Sequence, residues 1–307
     1  MRIFETANYN FISKRKVGYI ISGTLIALSI LGIIFKGGLQ YGIDFKGGKE
    51  FVIEFKSDVV VGDIRSALTE TFKSQPEVKN YGSNSVVLIR TDVDQDVNTL
   101  KTAINQTLST KFPDNPGSIE KTDNVTARFS EDLKWSALQA IVASIFTIFF
   151  YILIRFRNWR FSAGAVLALM HDVVITLGLF TILNDILPFS LTIDQTIIAA
   201  FLTIVGYSLN DTVVVFDRIR ENAAVHKSME YSAMINRSIN DTLSRTVITS
   251  GTTLFVVAVL FIFGGEVLKG FSFALIMGIL IGTYSSIFVA SSFVVDLAKN
   301  KTNHAKS

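Results

Sequence analysis

Hydrophobic positions along the chain gather into six long runs, at residues 17–35, 135–154, 161–183, 196–216, 246–263 and 271–295. Each is close to the ~20 apolar residues that carry a helix across the hydrocarbon of a bilayer. All four prolines (Pro76, Pro113, Pro116 and Pro188) lie outside the runs, where they interrupt no helix. The pattern predicts six membrane-spanning helices, with residues 17–35 as the first and residues 134–296 holding the other five.

Residues 36–133 follow another rhythm. Short β-branched runs bounded by turn residues predict strands at 50–55, 78–81, 85–90 and 118–125, and residues 61–71 and 97–109 read as helices. Leu100, Ile104 and Leu108 recur at helical spacing. The order βαββαβ matches a ferredoxin-like split unit. The expected fold is thus a six-helix membrane bundle with an inserted α+β domain. Asp92, Asp94 and Asp96 lack the glycine and later glutamate of an EF-hand and read as a solvated turn.

Charge sets the orientation. Lys14, Arg15 and Lys16 precede the first run, and Arg155, Arg157 and Arg160 fill the second–third connection. Arg218, Arg220, Lys227, Arg237 and Arg245 lie between runs four and five, and Lys299, Lys301 and Lys306 follow the last run. Residues 184–195 hold no basic residue and 264–270 only Lys269. The positive-inside rule therefore makes residues 1–16 and 297–307 cytoplasmic and residues 36–133 external. A cleaved signal peptide fits poorly: the first run is longer than a usual h-region, and no A-x-A-like site follows. Ile3, Phe4, Phe11 and Ile12 would share one face of a short interfacial helix, although a disordered tail is as compatible with residues 1–12.

Composition removes several function classes. The chain is 49% hydrophobic and 18% charged, below the quarter or so of a soluble protein. Its net charge of +3 follows from topology, and no basic stripe with interleaved aromatics points to nucleic acid. Without cysteine there is no disulfide or thiolate site, and His171, His226 and His304 share no metal-ligand spacing. No P-loop, G-x-S-x-G or H-E-x-x-H supports ATP use or hydrolysis. The chain is expected to be no enzyme and to need neither metal nor cofactor.

The candidate chemistry sits in the fourth run, where Gly206, Tyr207, Ser208, Asn210, Asp211 and Thr212 form a polar patch. An aspartate at a membrane-helix centre costs about 2.5–3.5 kcal/mol on insertion scales, a penalty that anchoring alone does not explain. Asp211 lies about 9 Å inside Asp217, which marks the interface. Tyr207 and Ser208, at i−4 and i−3, are placed to hydrogen-bond the Asp211 carboxyl. Arg245 opens the fifth run on the same side; it either meets Asp211 at matching depth or snorkels to the interface. In the third run, His171-Asp172 lies near mid-membrane, as either a polar contact pinning helices or a proton relay. Gly278 and Gly282, a G-x-x-x-G pair in the last run, permit close helix approach, with Thr283, Ser285 and Ser286 following. A desolvated carboxyl that cycles between neutral and charged forms can couple a proton gradient to helix motion. One charge crossing the potential is worth about 2.3 kcal/mol per 100 mV.

Three motifs resemble the SecF branch of the SecD/SecF family, within the RND superfamily. They are Gly42-Ile-Asp-Phe-Lys-Gly-Gly48, the stretch Gly206-Tyr-Ser-Leu-Asn-Asp-Thr-Val-Val-Val-Phe-Asp-Arg-Ile-Arg-Glu-Asn222, and Phe261-Ile-Phe-Gly-Gly265 with Gly282-Thr-Tyr-Ser-Ser286. Val125-Thr-Ala-Arg-Phe129 departs from the glycine-proline element expected before the second span. The resemblance implies an RND-like fold in the bacterial inner membrane, a complex with SecD, often YajC, around the SecYEG channel, and proton-motive-force-driven pulling of preproteins. It implies that Asp211 is the essential intramembrane aspartate, Arg245 its partner, His171-Asp172 an accompanying pair, and Gly42, Asp44, Gly47 and Gly48 the motif after span one. Two readings compete: a small-molecule exporter of the wider RND type, and a purely structural subunit.

Overall fold

A computed structural model of the chain describes residues 7–125 and 127–304. Six of its helical stretches are long and apolar enough to cross a membrane. The first is α1 (Arg15–Phe35); α5 (Ala127–Phe156), α6 (Trp159–Leu183), α7 (Gln195–Val225) and α8 (Tyr231–Phe263) follow the inserted domain. The sixth span joins α9 (Gly265–Ser285), a π-helical turn at Ser286–Ser291 and α10 (Ser292–His304).

Small residues bring the spans together. A methyl group on Gly178 of α6 would stand 2.1 Å from Ser29 Cβ of α1. On α9, one on Gly278 would stand 2.4 Å from Ile204 Cγ1 and one on Gly282 2.9 Å from Ser208 Cβ, so the G-x-x-x-G face lies on α7. Backbones at that distance are held by dispersion and hydrogen bonds, since lipid offers no hydrophobic drive between helices. Phe156, Phe161 and Phe216 lock α5, α6 and α7 at one end, with Phe161 and Phe216 ring centroids 4.8 Å apart. Phe180, Phe201, Phe189 and Phe273 fill the opposite end. By contrast α5 lies at the edge, with Trp135, Phe146 and Phe150 exposed.

The inserted domain has β1 (Gly48–Phe55), α3 (Val61–Phe72), β2 (Glu77–Tyr81), β3 (Ser83–Thr91), α4 (Val97–Lys111) and β4 (Gly117–Val125). The sheet runs β2-β3-β1-β4, antiparallel throughout, which is the ferredoxin-like arrangement the strand–helix order predicted. Alternation puts Phe51, Ile53 and Phe55 of β1 and Val87 and Ile89 of β3 on the face that Ile64, Leu68, Leu100, Ile104 and Leu108 cover. Asp96 caps α4 by accepting from the Asn98 amide at 2.9 Å.

The segment before α1 corrects an expectation. Residues 7–14 form neither an interfacial helix nor a free tail; they are an irregular strap held on α8. The Tyr9 amide donates to Asn240 Oδ1 at 2.8 Å, and the Asn236 and Asn240 amides donate to Tyr9 O. Ile12 is buried in the bundle core. Ile3, Phe4 and Lys306 lie outside the described residues.

Candidate functional site

The fourth-span patch divides around the helix instead of forming one cluster. Asp211 faces inward and is 3% exposed, with Thr212 buried beside it, whereas Asn210 is exposed. The partners of Asp211 come from other helices. Ser250 Oγ of α8 donates to Asp211 Oδ2 at 3.2 Å, and Thr283 Oγ1 of α9 lies 3.5 Å from the same oxygen. Ser250 and Thr283 are themselves 2.8 Å apart. Among the described residues no cation lies within 4 Å of the carboxylate, and the charge of Arg245 acts on it only from beyond that distance.

Two expected supports turn elsewhere. Tyr207 OH donates to Thr253 Oγ1 of α8 at 3.3 Å, and Ser208 Oγ donates to Asp172 Oδ2 at 2.6 Å. Spacings of i−4 and i−3 put them on the right side of α7, but side-chain direction is settled by the neighbouring helices. Arg245 is exposed and forms no ion pair within 4 Å among the described residues, so it is not in contact with Asp211. Asp217, one and a half turns beyond Asp211, pairs with Arg155 at 2.8 Å.

Asp172 has the opposite surroundings. It is 1% exposed and accepts from Ser208 of α7 and, at 2.9 Å, from Ser285 of α9. Its other oxygen lies 2.9 Å from His171 Nδ1. His171 Nε2 in turn lies 3.0 Å from Ser22 Oγ of α1. Three helices therefore meet at one carboxyl group, and α1 joins them through His171. Ser250 and Ser22 escaped the sequence reading; their only signal was a hydroxyl inside an apolar run. Thr283 and Ser285, which follow the G-x-x-x-G pair, carry no signal in the sequence beyond their small size.

The Gly42–Gly48 motif forms the joint between membrane and domain. The Gly42 amide donates to Ile193 O at 2.9 Å and the Ile193 amide to Gln40 O at 2.7 Å, fastening the chain after α1 to the loop before α7. α2 (Ile43–Lys46) follows, and Asp44 Oδ2 accepts the Gln195 amide at 3.1 Å. Gly47 turns the chain at φ +79°, and a Cβ on Gly48 would stand 2.5 Å from Thr91 O of β3. Across the joint Lys79 lies 2.5 Å from Glu77 and 3.7 Å from Asp194, the N-cap of α7. Burial pushes the Asp194 carboxyl above its usual range, against the pull of Lys79 and the Ile197 amide. No group of metal-ligating side chains occurs among the described residues.

An inserted ferredoxin-like domain on a bundle of six candidate spans, with carboxylates buried between the helices, defines a polytopic membrane protein. A family model described as protein export membrane protein SecD/SecF, C-terminal, matches residues 104–300, and the SecD/SecF GG motif matches residues 32–59. The protein translocase subunit SecF of Rhodothermus marinus is 58% identical over 297 residues, 97% of this chain and 96% of that one. That of Vibrio alginolyticus is 41% identical, over 95% of this chain and 90% of its own. The crystal structure of SecDF, a translocon-associated membrane protein from Thermus thermophilus, aligns with TM-score 0.79 and 34% identity over 97% of this chain. This chain spans 40% of that longer one. The chain belongs to the SecD/SecF family, as a SecF.

Proposed function

We propose that the chain is a proton-motive-force-coupled subunit of the Sec preprotein translocase that acts with SecD in the bacterial inner membrane. Both termini are then cytoplasmic and the α+β domain is periplasmic, as the basic loops suggest. SecYEG, YajC and preproteins are the partners this reading brings. The observation that carries it is Asp211: a carboxyl group 3% exposed, held by two hydroxyls and, among the described residues, by no cation within 4 Å. Such a group changes charge state more readily than one locked in an ion pair, and its change alters what α8 and α9 bind. Arg245, on the same side of the bundle, reaches Asp211 in another stage of the cycle. In the domain joint, Asp44 and Asp194 link movement of α7 to the periplasmic side.

The test is Asp211→Asn, which keeps shape and hydrogen bonding and removes the ionisable proton. One proton crossing 100 mV supplies about 2.3 kcal/mol, a factor of roughly 50 in a rate. In membrane vesicles containing SecYEG and SecD, the variant is expected to assemble normally and to lose the gradient-driven part of preprotein export. Undiminished gradient-driven export in that variant would leave the structural-subunit reading standing instead.

A further inference from the structure

We infer that the His171–Asp172 pair is a proton-holding site with the histidine fixed as a donor at Nε2, and that Ser22 and Tyr284 fix it. One chain of contacts fixes where the hydrogens lie. Tyr284 OH lies 2.7 Å from Gly18 O, and a carbonyl only accepts, so the single tyrosine hydrogen points there. Ser22 Oγ lies 3.1 Å from Tyr284 OH. With the tyrosine hydrogen already placed, Ser22 must be the donor in that contact. Ser22 Oγ also lies 3.0 Å from His171 Nε2. A serine has one hydrogen, so the hydrogen between these two atoms belongs to the imidazole. Nδ1 then faces Asp172 Oδ1 at 2.9 Å, and the hydrogen there belongs to one or the other.

This is the only assignment that puts a hydrogen in every one of the four contacts. The alternative, a bare Nε2 accepting from Ser22, leaves Ser22 and Tyr284 facing each other lone pair to lone pair. A buried polar group left without its partner keeps its desolvation penalty uncompensated. His171 and Ser22 are 4% and 6% exposed, so the loss at Ser22 falls inside the bundle. The hydroxyls of Ser208 and Ser285 both point at Asp172 Oδ2, which places the shared proton on the Oδ1–Nδ1 side. The pair is net neutral whether written as imidazolium and carboxylate or as imidazole and carboxylic acid, and it keeps that proton while the Tyr284 chain is intact. The hydrogen count does not depend on whether export is proton-driven, and its test uses no export assay.

Nitrogen-15 magnetic resonance of histidine-labelled full-length chain in phospholipid bilayers reads each ring nitrogen as protonated or bare. Subtracting the spectrum of His171→Gln isolates His171 from His226 and His304. The expected result is a protonated Nε2. A bare Nε2 in the unaltered protein overturns the proposal. Tyr284→Phe keeps the ring stacked on Phe288, at 5.2 Å between centroids, and removes the hydroxyl. It frees the Ser22 hydrogen to turn to Nε2, so a bare Nε2 population is expected in that variant. A ring spectrum unchanged by both Tyr284→Phe and Ser22→Ala shows that the chain does not set the tautomer and also overturns the proposal.

Discussion

Asp172 and Asp211 are both almost fully buried in the same bundle, yet their surroundings differ in kind. Asp172 accepts from Ser208 and Ser285 and shares a hydrogen with His171, so both its oxygens are occupied and a titratable partner balances it. Among the described residues Asp211 has hydrogen-bond contacts at one oxygen only, of 3.2 and 3.5 Å, and no cation within 4 Å. A buried charge that is paired and hydrogen-bonded holds structure together; one that is sparsely bonded is free to change state. The two networks lie within three residues of each other on two helices. Ser208 and Asp211 share α7, while Thr283 and Ser285 share α9, just before its π-helical turn. A rotation of α7 that alters one site therefore disturbs the other.

The largest effect expected from breaking this contrast is at Asp172. Asp172→Ala strands His171, Ser208 and Ser285 inside the bundle. Removing one member of a buried pair costs about 3–5 kcal/mol, so the variant should unfold at markedly lower temperature or denaturant in detergent. Asp211→Asn, in the same unfolding experiment, should change stability by about 1 kcal/mol or less. If the two variants are equally destabilised, Asp211 is as structural as Asp172 and the contrast fails.

Hydroxyl deletions sharpen the comparison at lower amplitude. Ser208→Ala removes a 2.6 Å hydrogen bond to a carboxylate, and bonds to charged groups are worth about 1.5–3 kcal/mol. Ser250→Ala removes a 3.2 Å bond to Asp211, for which about 0.5–1.5 kcal/mol is the ordinary range. The order Ser208 above Ser250 in measured unfolding free energy is the outcome expected. The reverse order would mean that Asp211 is held more firmly than its geometry indicates.

These differences explain what could be read in the chain beforehand. The strand–helix order of the inserted domain was legible because local alternation and turn residues decide it: Phe51, Ile53 and Phe55 needed only the pleat to face one way. The six spans were legible because hydropathy and length suffice. Asp211 stood out through its insertion penalty. Its partners did not, since helical spacing relates residues within a helix, and Ser250 and Thr283 belong to α8 and α9. The same limit misdirects Ser208 toward Asp211, when its hydroxyl, beside Gly282 of α9, donates to Asp172 of α6. The glycines at 42, 47 and 48 announced a motif, but only tertiary contact showed it to be the clasp on Ile193.

Asp194 offers a third carboxyl for the comparison, on α7 with Asp211 but at its N-terminus. Its Oδ1 accepts the Ile197 amide at 2.8 Å as an N-cap, and Lys79 lies 3.7 Å from the other oxygen. Burial raises its pKa, so the folded chain holds this proton more tightly than the unfolded one. The resulting contribution is full below the ordinary aspartate value near 3.9. It fades as pH rises from there through the folded value, because over that window the unfolded state has ionised while the native state still holds the proton. Asp185 acts in the other direction: the Lys36 hydrogen bond lowers its pKa, and its contribution fades as pH falls. Asparagine caps a helix about as well as aspartate, whereas alanine loses about 1 kcal/mol. Unfolding midpoints followed upward from pH 4 should therefore fall more for the unaltered chain than for Asp194→Asn, and Asp194→Ala should be the least stable of the three near pH 4. Parallel curves for the unaltered chain and Asp194→Asn would show that Lys79 neutralises Asp194 in full, making it a paired carboxylate of the Asp172 kind.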